Sequence, residues 1–190
     1  MNSFNIKDKC YALSGGTGTL GGSIATYLVK NGANVILWGR SLNKLDDKCA
    51  ELNVIKSGCA TNFKVDVLDE EELIVVKNRI ATEYGNLDGL INLAGGNVKG
   101  ATLTENQTIF DIELKESKYV IDNNLYGTVI PTIVLSELMA NQGHGSIINI
   151  SSMASKQAIS RVLGYSVAKS GVDIFTKWLA NELASKFNNK

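Results

Sequence analysis

A phenol and an amine stand four residues apart at Tyr165 and Lys169. They fall in a stretch where Val172, Phe175, Leu179 and Leu183 recur at helical spacing, so a helix is expected from about Leu163 to Lys186. On such a helix the two side chains share one side, a turn apart. An ammonium beside a phenol favours the tyrosinate, which makes the pair a proton donor and acceptor near neutrality. Ser152 follows the apolar run Ile147 to Ile150, and a residue just past a strand of an open parallel sheet sits at the ligand-binding edge. From there its hydroxyl can donate to a carbonyl oxygen while Tyr165 moves the proton. Ser151 is the adjacent alternative, and a serine pair in this position also caps turns.

A second constellation lies near the start of the chain. Ser14 to Gly22 reads SGGTGTLGG directly after a short apolar run. Glycines there let backbone approach a pyrophosphate, whose charge then faces the unpaired N–H groups of the following helix. Ser14, Gly15, Thr17, Gly18, Thr19, Leu20 and Gly21 are the expected contacts, although Thr19 takes a place that glycine often holds in the dinucleotide fingerprint. The next apolar run ends in Trp38-Gly39-Arg40-Ser41, with no acidic residue before Asp46. A carboxylate at that point would bond a ribose 2′-hydroxyl, whereas Arg40 suits a 2′-phosphate, which favours NADP over the alternative, NAD. Asp66, with Val67 beside it, can accept from an adenine amino group or cap a helix. Asn92, Ala94 and Gly95 end another apolar run where small residues admit a cofactor or a crowded turn.

These residues need a scaffold that brings strand ends together. Apolar runs at Cys10 to Ser14, Val35 to Trp38, Ala60 to Val65, Leu87 to Leu93 and Ser146 to Ile150 alternate with helical patterns. The helices are expected from Ser23, from Ser41 to about Lys56, from Glu70 to Tyr84, and from Lys118 to Gln142, with Ile121, Leu125, Val129, Ile133 and Leu138 as apolar positions of the last. The span Leu103 to Glu116 is less regular and suggests one short helix; Pro131 suggests a bend. Nearly uninterrupted aliphatic strands between helices predict an α/β, Rossmann-like parallel sheet covered on both faces.

The chain has 190 residues, 44% of them hydrophobic and 20% charged, which suits one globular domain over 1–190. Nineteen basic residues balance nineteen acidic ones, which gives no electrostatic case for nucleic acid or an anionic membrane as partner. No apolar run reaches the length of a membrane span or a secretory signal. Cys10, Cys49 and Cys59 lack disulfide or zinc spacing, and free thiols of this kind suit the cytoplasm. No metal site is expected. His144, between two glycines, reads as part of an exposed turn, and Trp178 as core or interface.

The SGGTGTLGG turn, NLAG at Asn92 to Gly95, NNLYG at Asn123 to Gly127, and NISS followed by YSVAK form an ordered set. Across the whole chain this set resembles the classical short-chain dehydrogenase/reductase family. The resemblance implies an NAD(P)-dependent oxidoreductase that interconverts a secondary alcohol and a ketone, assembled as a homodimer or homotetramer. It implies Tyr165 as general acid and base, Lys169 as its tuner and ribose ligand, Ser152 as the carbonyl-orienting hydroxyl, and Asn124 as support for Lys169. AGGN at Ala94 to Asn97 and NISSM at Asn149 to Met153 resemble the mannonate and fructuronate oxidoreductase branch, which implies a sugar acid or polyol substrate with Asn97 on the substrate side. Members of the family continue past the Tyr-Lys helix through further strands and a substrate-covering segment. That comparison leads us to expect an incomplete domain with the last strand at an open edge and uncertain activity, or a nucleotide-binding protein without catalysis.

Overall fold

The computed structural model describes residues 5–157 and 159–187. Five strands, β1 (Cys10–Ser14), β2 (Asn34–Gly39), β3 (Ala60–Lys64), β4 (Gly89–Asn92) and β5 (Ser146–Asn149), form one sheet in the order β3-β2-β1-β4-β5. Every pairing is parallel. Successive side chains of a strand point to opposite faces. In β2, Val35 and Leu37 therefore pack with α1 (Thr19–Lys30) and α2 (Leu42–Ile55), while Ile36 and Trp38 pack with α3 (Glu70–Glu83) and α5 (Gly127–Gln142). Burial on both faces is the reason this strand reads as a continuous apolar run. At the amino terminus of α3, Asp69 accepts from the Glu72 N–H at 3.0 Å, and Glu70 to Glu72 place negative charge where the helix dipole favours it.

The order of the strands decides where a ligand can sit. β2 and β4 flank β1 on opposite sides, so the chain leaves the ends of β1 and β4 in diverging directions. That divergence opens a crevice at the carboxyl ends of the strands. β5 is the edge strand beside β4, as expected, and Ile148 is 48% exposed there. An apolar groove of about 340 Å³ runs alongside, lined by Met139, Ile147, Leu179, Leu183 and Phe187 among others.

Two helices differ from their sequence-based bounds. α1 starts at Thr19 rather than Ser23, with the Gly22 N–H already bonded to the Gly18 carbonyl at 2.7 Å. Gly21 and Gly22 are poor helix formers and conceal that first turn in the pattern. The helix expected from Lys118 to Gln142 begins at Leu114 as α4 (Leu114–Ile121), widens into a π-helical turn at Asp122–Tyr126, and continues as α5. The π turn inserts a residue and rotates the buried face. Val134, Leu135 and Met139 consequently fill the core, whereas Ile133 of the expected stripe is 57% exposed. Thr128 and Thr132 are buried too, because each hydroxyl bonds a carbonyl one turn back in its own helix. The helix continues through Pro131. Within Leu103 to Glu116 the short helix before α4 is a single 3₁₀ turn, Ile109–Asp111, and another 3₁₀ turn, Lys99–Ala101, precedes the span. α6 (Leu163–Phe187) buries Val172 and Leu179 and half-buries Phe175 and Leu183. Cys10, Cys49 and Cys59 are buried free thiols; burial, aided by Asp88, pushes Cys10 up to about 12.

Candidate active site

The glycine-rich turn is fixed by close backbone contacts. Gly15 has φ +66°, and a Cβ there would stand 3.0 Å from the Ala94 nitrogen. A Cβ on Gly21 would come within 2.3 Å of the Gly15 carbonyl oxygen. Only glycine lets the first turn of α1 lie against the loop in this way. Ser14 is buried, and its Oγ accepts from the Leu93 and Ala94 N–H groups at 3.0 and 3.1 Å. Its side chain thus ties the end of β1 to the segment after β4 and does not face a ligand. Thr17, Gly18, Thr19 and Leu20 are exposed, and Gly18 caps α1 without a side-chain bond. Together the exposed loop and uncapped helix start offer backbone donors to an anion.

A cleft of about 340 Å³ opens beside this turn. Gly15, Thr17, Trp38, Arg40, Asp66 and Val67 line one part of it, and Ala94, Gly95, Gly96 and Asn97 another. Arg40 Nη1 donates to the Tyr119 hydroxyl at 3.1 Å across the opening. Ser41 caps α2 with no side-chain bond of its own, and Lys44 lines the same corner. Asp66 Oδ1 accepts from the Leu68 N–H at 3.1 Å. Asn97 donates to Thr102 Oγ1 at 2.7 Å. Trp38 is fully buried, and its indole N–H has no partner.

Asn92 and Asn124 use their side chains to hold the scaffold. Asn92 is 1% exposed, and its amide donates to Thr132 Oγ1 and Asn149 Oδ1, both at 2.8 Å. Its amide nitrogen is thus spent on the scaffold, and its Oδ1 is buried without a partner. Asn124 sits in the π turn, accepts from the Gly96 N–H at 3.0 Å and donates to the Gly96 carbonyl at 2.7 Å. This two-way clamp fixes the 94–96 loop. Gly95 is glycine for the same reason, since a Cβ there would lie 2.4 Å from Asn124 Oδ1.

The residues expected to react lie on α6 and the loop after β5. Lys169 is 5% exposed, and its Nζ donates to the Ile150 carbonyl at 2.8 Å while standing 5.6 Å from the centre of the Tyr165 ring. Burial holds its ammonium below the ordinary lysine value. Ser152 Oγ accepts from the Ala154 N–H at 3.2 Å, which leaves its own hydrogen for another acceptor. Ser151 instead packs its hydroxyl within 3.4 Å of Ser155 Oγ and of the Lys169 carbonyl. Of the pair, Ser152 is therefore the one whose hydroxyl hydrogen is not directed to an acceptor among the described residues. The Ile150 N–H bonds the Asn92 carbonyl at 3.0 Å, which links this group to the strand end beneath the 94–96 loop.

Gly15, Thr17, Arg40, Asp66, Val67 and the Ala94 to Asn97 loop thus gather around one cleft, whereas Gly18 and Thr19 line a neighbouring pocket and Ser152, Tyr165 and Lys169 are not among the residues lining the cleft. Tyr119 and Lys44 are cleft residues that the sequence reading missed. Tyr119 carries no local signal because its approach to Arg40 is purely tertiary; Lys44 lies in the first turn of α2, just past Arg40, where its charge is the available signal. His144 is exposed in its turn. Among the described residues no group of three or more His, Cys, Asp or Glu side chains is placed to hold a metal, and no helix is long and apolar enough to cross a membrane.

Known proteins share this arrangement. An uncharacterized oxidoreductase of Haemophilus influenzae is 33% identical over 187 residues, covering 93% of this chain. The chain spans 65% of that relative's length. The 2-dehydro-3-deoxy-D-gluconate 5-dehydrogenase of Formosa agariphila is 31% identical over 99% of this chain and 68% of its own. A solved Haemophilus structure, described as a putative D-mannonate oxidoreductase with bound NAD, superposes with a TM-score of 0.87 at 34% identity over 96% of this chain and 68% of its own. The sequence model of short chain dehydrogenases matches residues 9–187, so cleft, sheet order and Tyr-Lys helix alike are those of a chain that belongs to the short chain dehydrogenase family.

Proposed function

We propose that the site interconverts a secondary alcohol and a ketone on a sugar acid or related polyol, with NADP as the preferred cofactor. The observation that carries this reading is the buried Lys169 ammonium, held by the Ile150 carbonyl beside the Tyr165 ring on the helix that packs against the Ser152 loop. A bound nicotinamide supplies or accepts the hydride at the substrate carbon. Tyr165 gives its phenolic proton to the carbonyl oxygen in reduction and takes it back in oxidation. Lys169 keeps two further donors after bonding Ile150, one for the phenolic oxygen and one for a ribose hydroxyl. Ser152 directs its free hydroxyl hydrogen to the same carbonyl oxygen and fixes the angle of approach. Asn124 holds the 94–96 loop that forms the cofactor wall, and Asn97 faces the substrate side. The sugar-acid class rests on the names of the gluconate and mannonate relatives.

Arg40, the free Ser41 hydroxyl and Lys44 gather cationic and polar donors where a 2′-phosphate would lie, with Asp66 as the carboxylate of the same cleft that acts on Arg40. The bound NAD in the Haemophilus structure speaks for the alternative cofactor. Arg40→Ala is expected to raise the Kd for NADPH about tenfold or more, the size of one charge-assisted hydrogen bond, and to leave NADH within about twofold. Fluorescence titration with both cofactors checks this. Equal effects on both would remove Arg40 from phosphate recognition. Activity itself is read by absorbance change with either cofactor across sugar-acid ketones, polyols and small ketones.

A second reading, nucleotide binding without catalysis, is favoured by a cleft whose lining includes Gly15 and Thr17 of the glycine turn and Arg40 but not Ser152, Tyr165 or Lys169. It yields saturable cofactor binding and no hydride transfer across the same panel. Exposed Leu163, Val167, Ile174 and Trp178 recur along one side of α6, an apolar face suited to a homodimer or homotetramer. Trp178→Glu is expected to convert that assembly to monomers by light scattering; an unchanged mass would place any interface elsewhere. The buried free thiols suit a cytoplasmic setting.

A further inference from the structure

Asp173 lies one turn beyond Lys169 and two beyond Tyr165, on the same side of α6. Its carboxylate is turned toward the loop that follows β5. Oδ2 stands 2.7 Å from Ser155 Oγ and 2.6 Å from Lys156 Nζ. Ser155 Oγ is also 2.7 Å from the Ser152 carbonyl. That carbonyl already accepts from the Ser155 N–H at 3.1 Å, so the single Ser155 hydroxyl hydrogen goes to the charged oxygen, the stronger acceptor. Ser151 Oγ lies 3.4 Å from both Ser155 Oγ and the Lys169 carbonyl, and Ser170 Oγ lies 3.3 Å from the Ser155 carbonyl and 3.0 Å from the Ser166 carbonyl. The hydrogen bonds from Lys156, Ser151 and Ser155 hold the Asp173 carboxyl well below the usual carboxylate range. One ionised group thus joins three loop residues, Ser151, Ser155 and Lys156, to the Tyr-Lys helix.

The consequence concerns Ser152. It caps the short 3₁₀ turn Met153–Ser155 that Asp173 grips through Ser155, and its Oγ accepts from the Ala154 N–H of that turn. Ser152 and Tyr165 belong to different elements, and the Ser155 and Lys156 bonds to Asp173 join the Lys169 bond to the Ile150 carbonyl as charged contacts between α6 and the loop after β5. Displacing the turn by about an ångström would spoil alignment at the carbonyl and cost on the order of a hundredfold in rate. We propose that Asp173 is a positioning residue, which latches the 151–156 loop to α6 and so sets where the Ser152 hydroxyl stands relative to Tyr165 and Lys169. This rests on the reaction proposed above for the same site.

The test uses Asp173→Asn, with Lys156→Met as a milder variant that keeps the carboxylate. Amide hydrogen exchange is followed at residues 152–157 and, as an internal reference, in β1 and β2. Asp173→Asn is expected to speed exchange in the loop by about tenfold or more while β1 and β2 stay unchanged, and Lys156→Met to do so by less. In turnover, kcat falls by about tenfold or more while KM for the cofactor holds. Ser152→Ala then costs much less in the Asp173→Asn background than in the wild type, because the two residues act as one unit. A general structural role would not produce that non-additivity. Unchanged loop exchange overturns the proposal, and so do losses that simply multiply. If the wild-type chain turns over none of the substrates, the reaction proposed above fails, and the exchange result still decides whether the latch exists.

Discussion

Replacing Tyr165 with phenylalanine is expected to reduce turnover about a thousandfold, within the range set by loss of a positioned general acid. The ring keeps its size, so the packing of α6 is preserved and only the phenolic oxygen is lost. Lys169 retains its bond to the Ile150 carbonyl, and that bond anchors the ammonium independently of Tyr165. Cofactor affinity should therefore stay within about twofold of wild type in a fluorescence titration, while initial rates with ketone and reduced cofactor collapse. The pattern of lost kcat with retained binding identifies an interaction made in the transition state. A variant that keeps more than a tenth of the wild-type rate would mean the proton travels by another route.

The second large effect is expected at Gly21. An alanine Cβ there meets the Gly15 carbonyl oxygen at 2.3 Å, with the Gly15 carbonyl carbon and Gly16 Cα at 3.0 Å. All three are backbone atoms, so relief requires moving the turn itself. Overpacking of this kind costs about 1–3 kcal/mol in stability, which urea unfolding measures. The cost to binding is larger in kind, because the displaced atoms belong to the loop expected to surround the pyrophosphate. Gly21→Ala should weaken NADPH and NADH alike, by about tenfold or more. That uniform loss separates it from Arg40→Ala, whose effect is confined to the phosphorylated cofactor. A Gly21→Ala protein that binds both cofactors normally would show that the turn is structural only.

The two experiments probe the halves of the site separately. Gly21 belongs to the switch between β1 and β4, and Tyr165 to the helix that packs on α4 and α5. The halves meet through Asn92, whose carbonyl bonds the Ile150 N–H while its amide reaches Thr132 and Asn149. Asn149 continues the chain to Thr176 on α6 at 3.0 Å. Buried polar networks of this sort are costly when broken, because each remaining partner is left unpaired away from water.

The amino-acid sequence by itself determined the parallel α/β sheet, since strands covered on both faces must be apolar throughout and their helices must show a 3.6-residue period. It also determined the turn at Ser14 to Gly22 and the Tyr165–Lys169 pair, because loop conformation and helical spacing are local properties. Tertiary structure alone decided that Ser14 and Asn92 turn their side chains into the scaffold, that Asn124 clamps Gly96, and that Tyr119 reaches Arg40. It likewise fixed the buried face of α5, because an inserted residue in a π turn rotates every position after it. Each of these depends on residues far apart in the chain, or on helix geometry that a regular period conceals, and a repeating pattern carries no record of either.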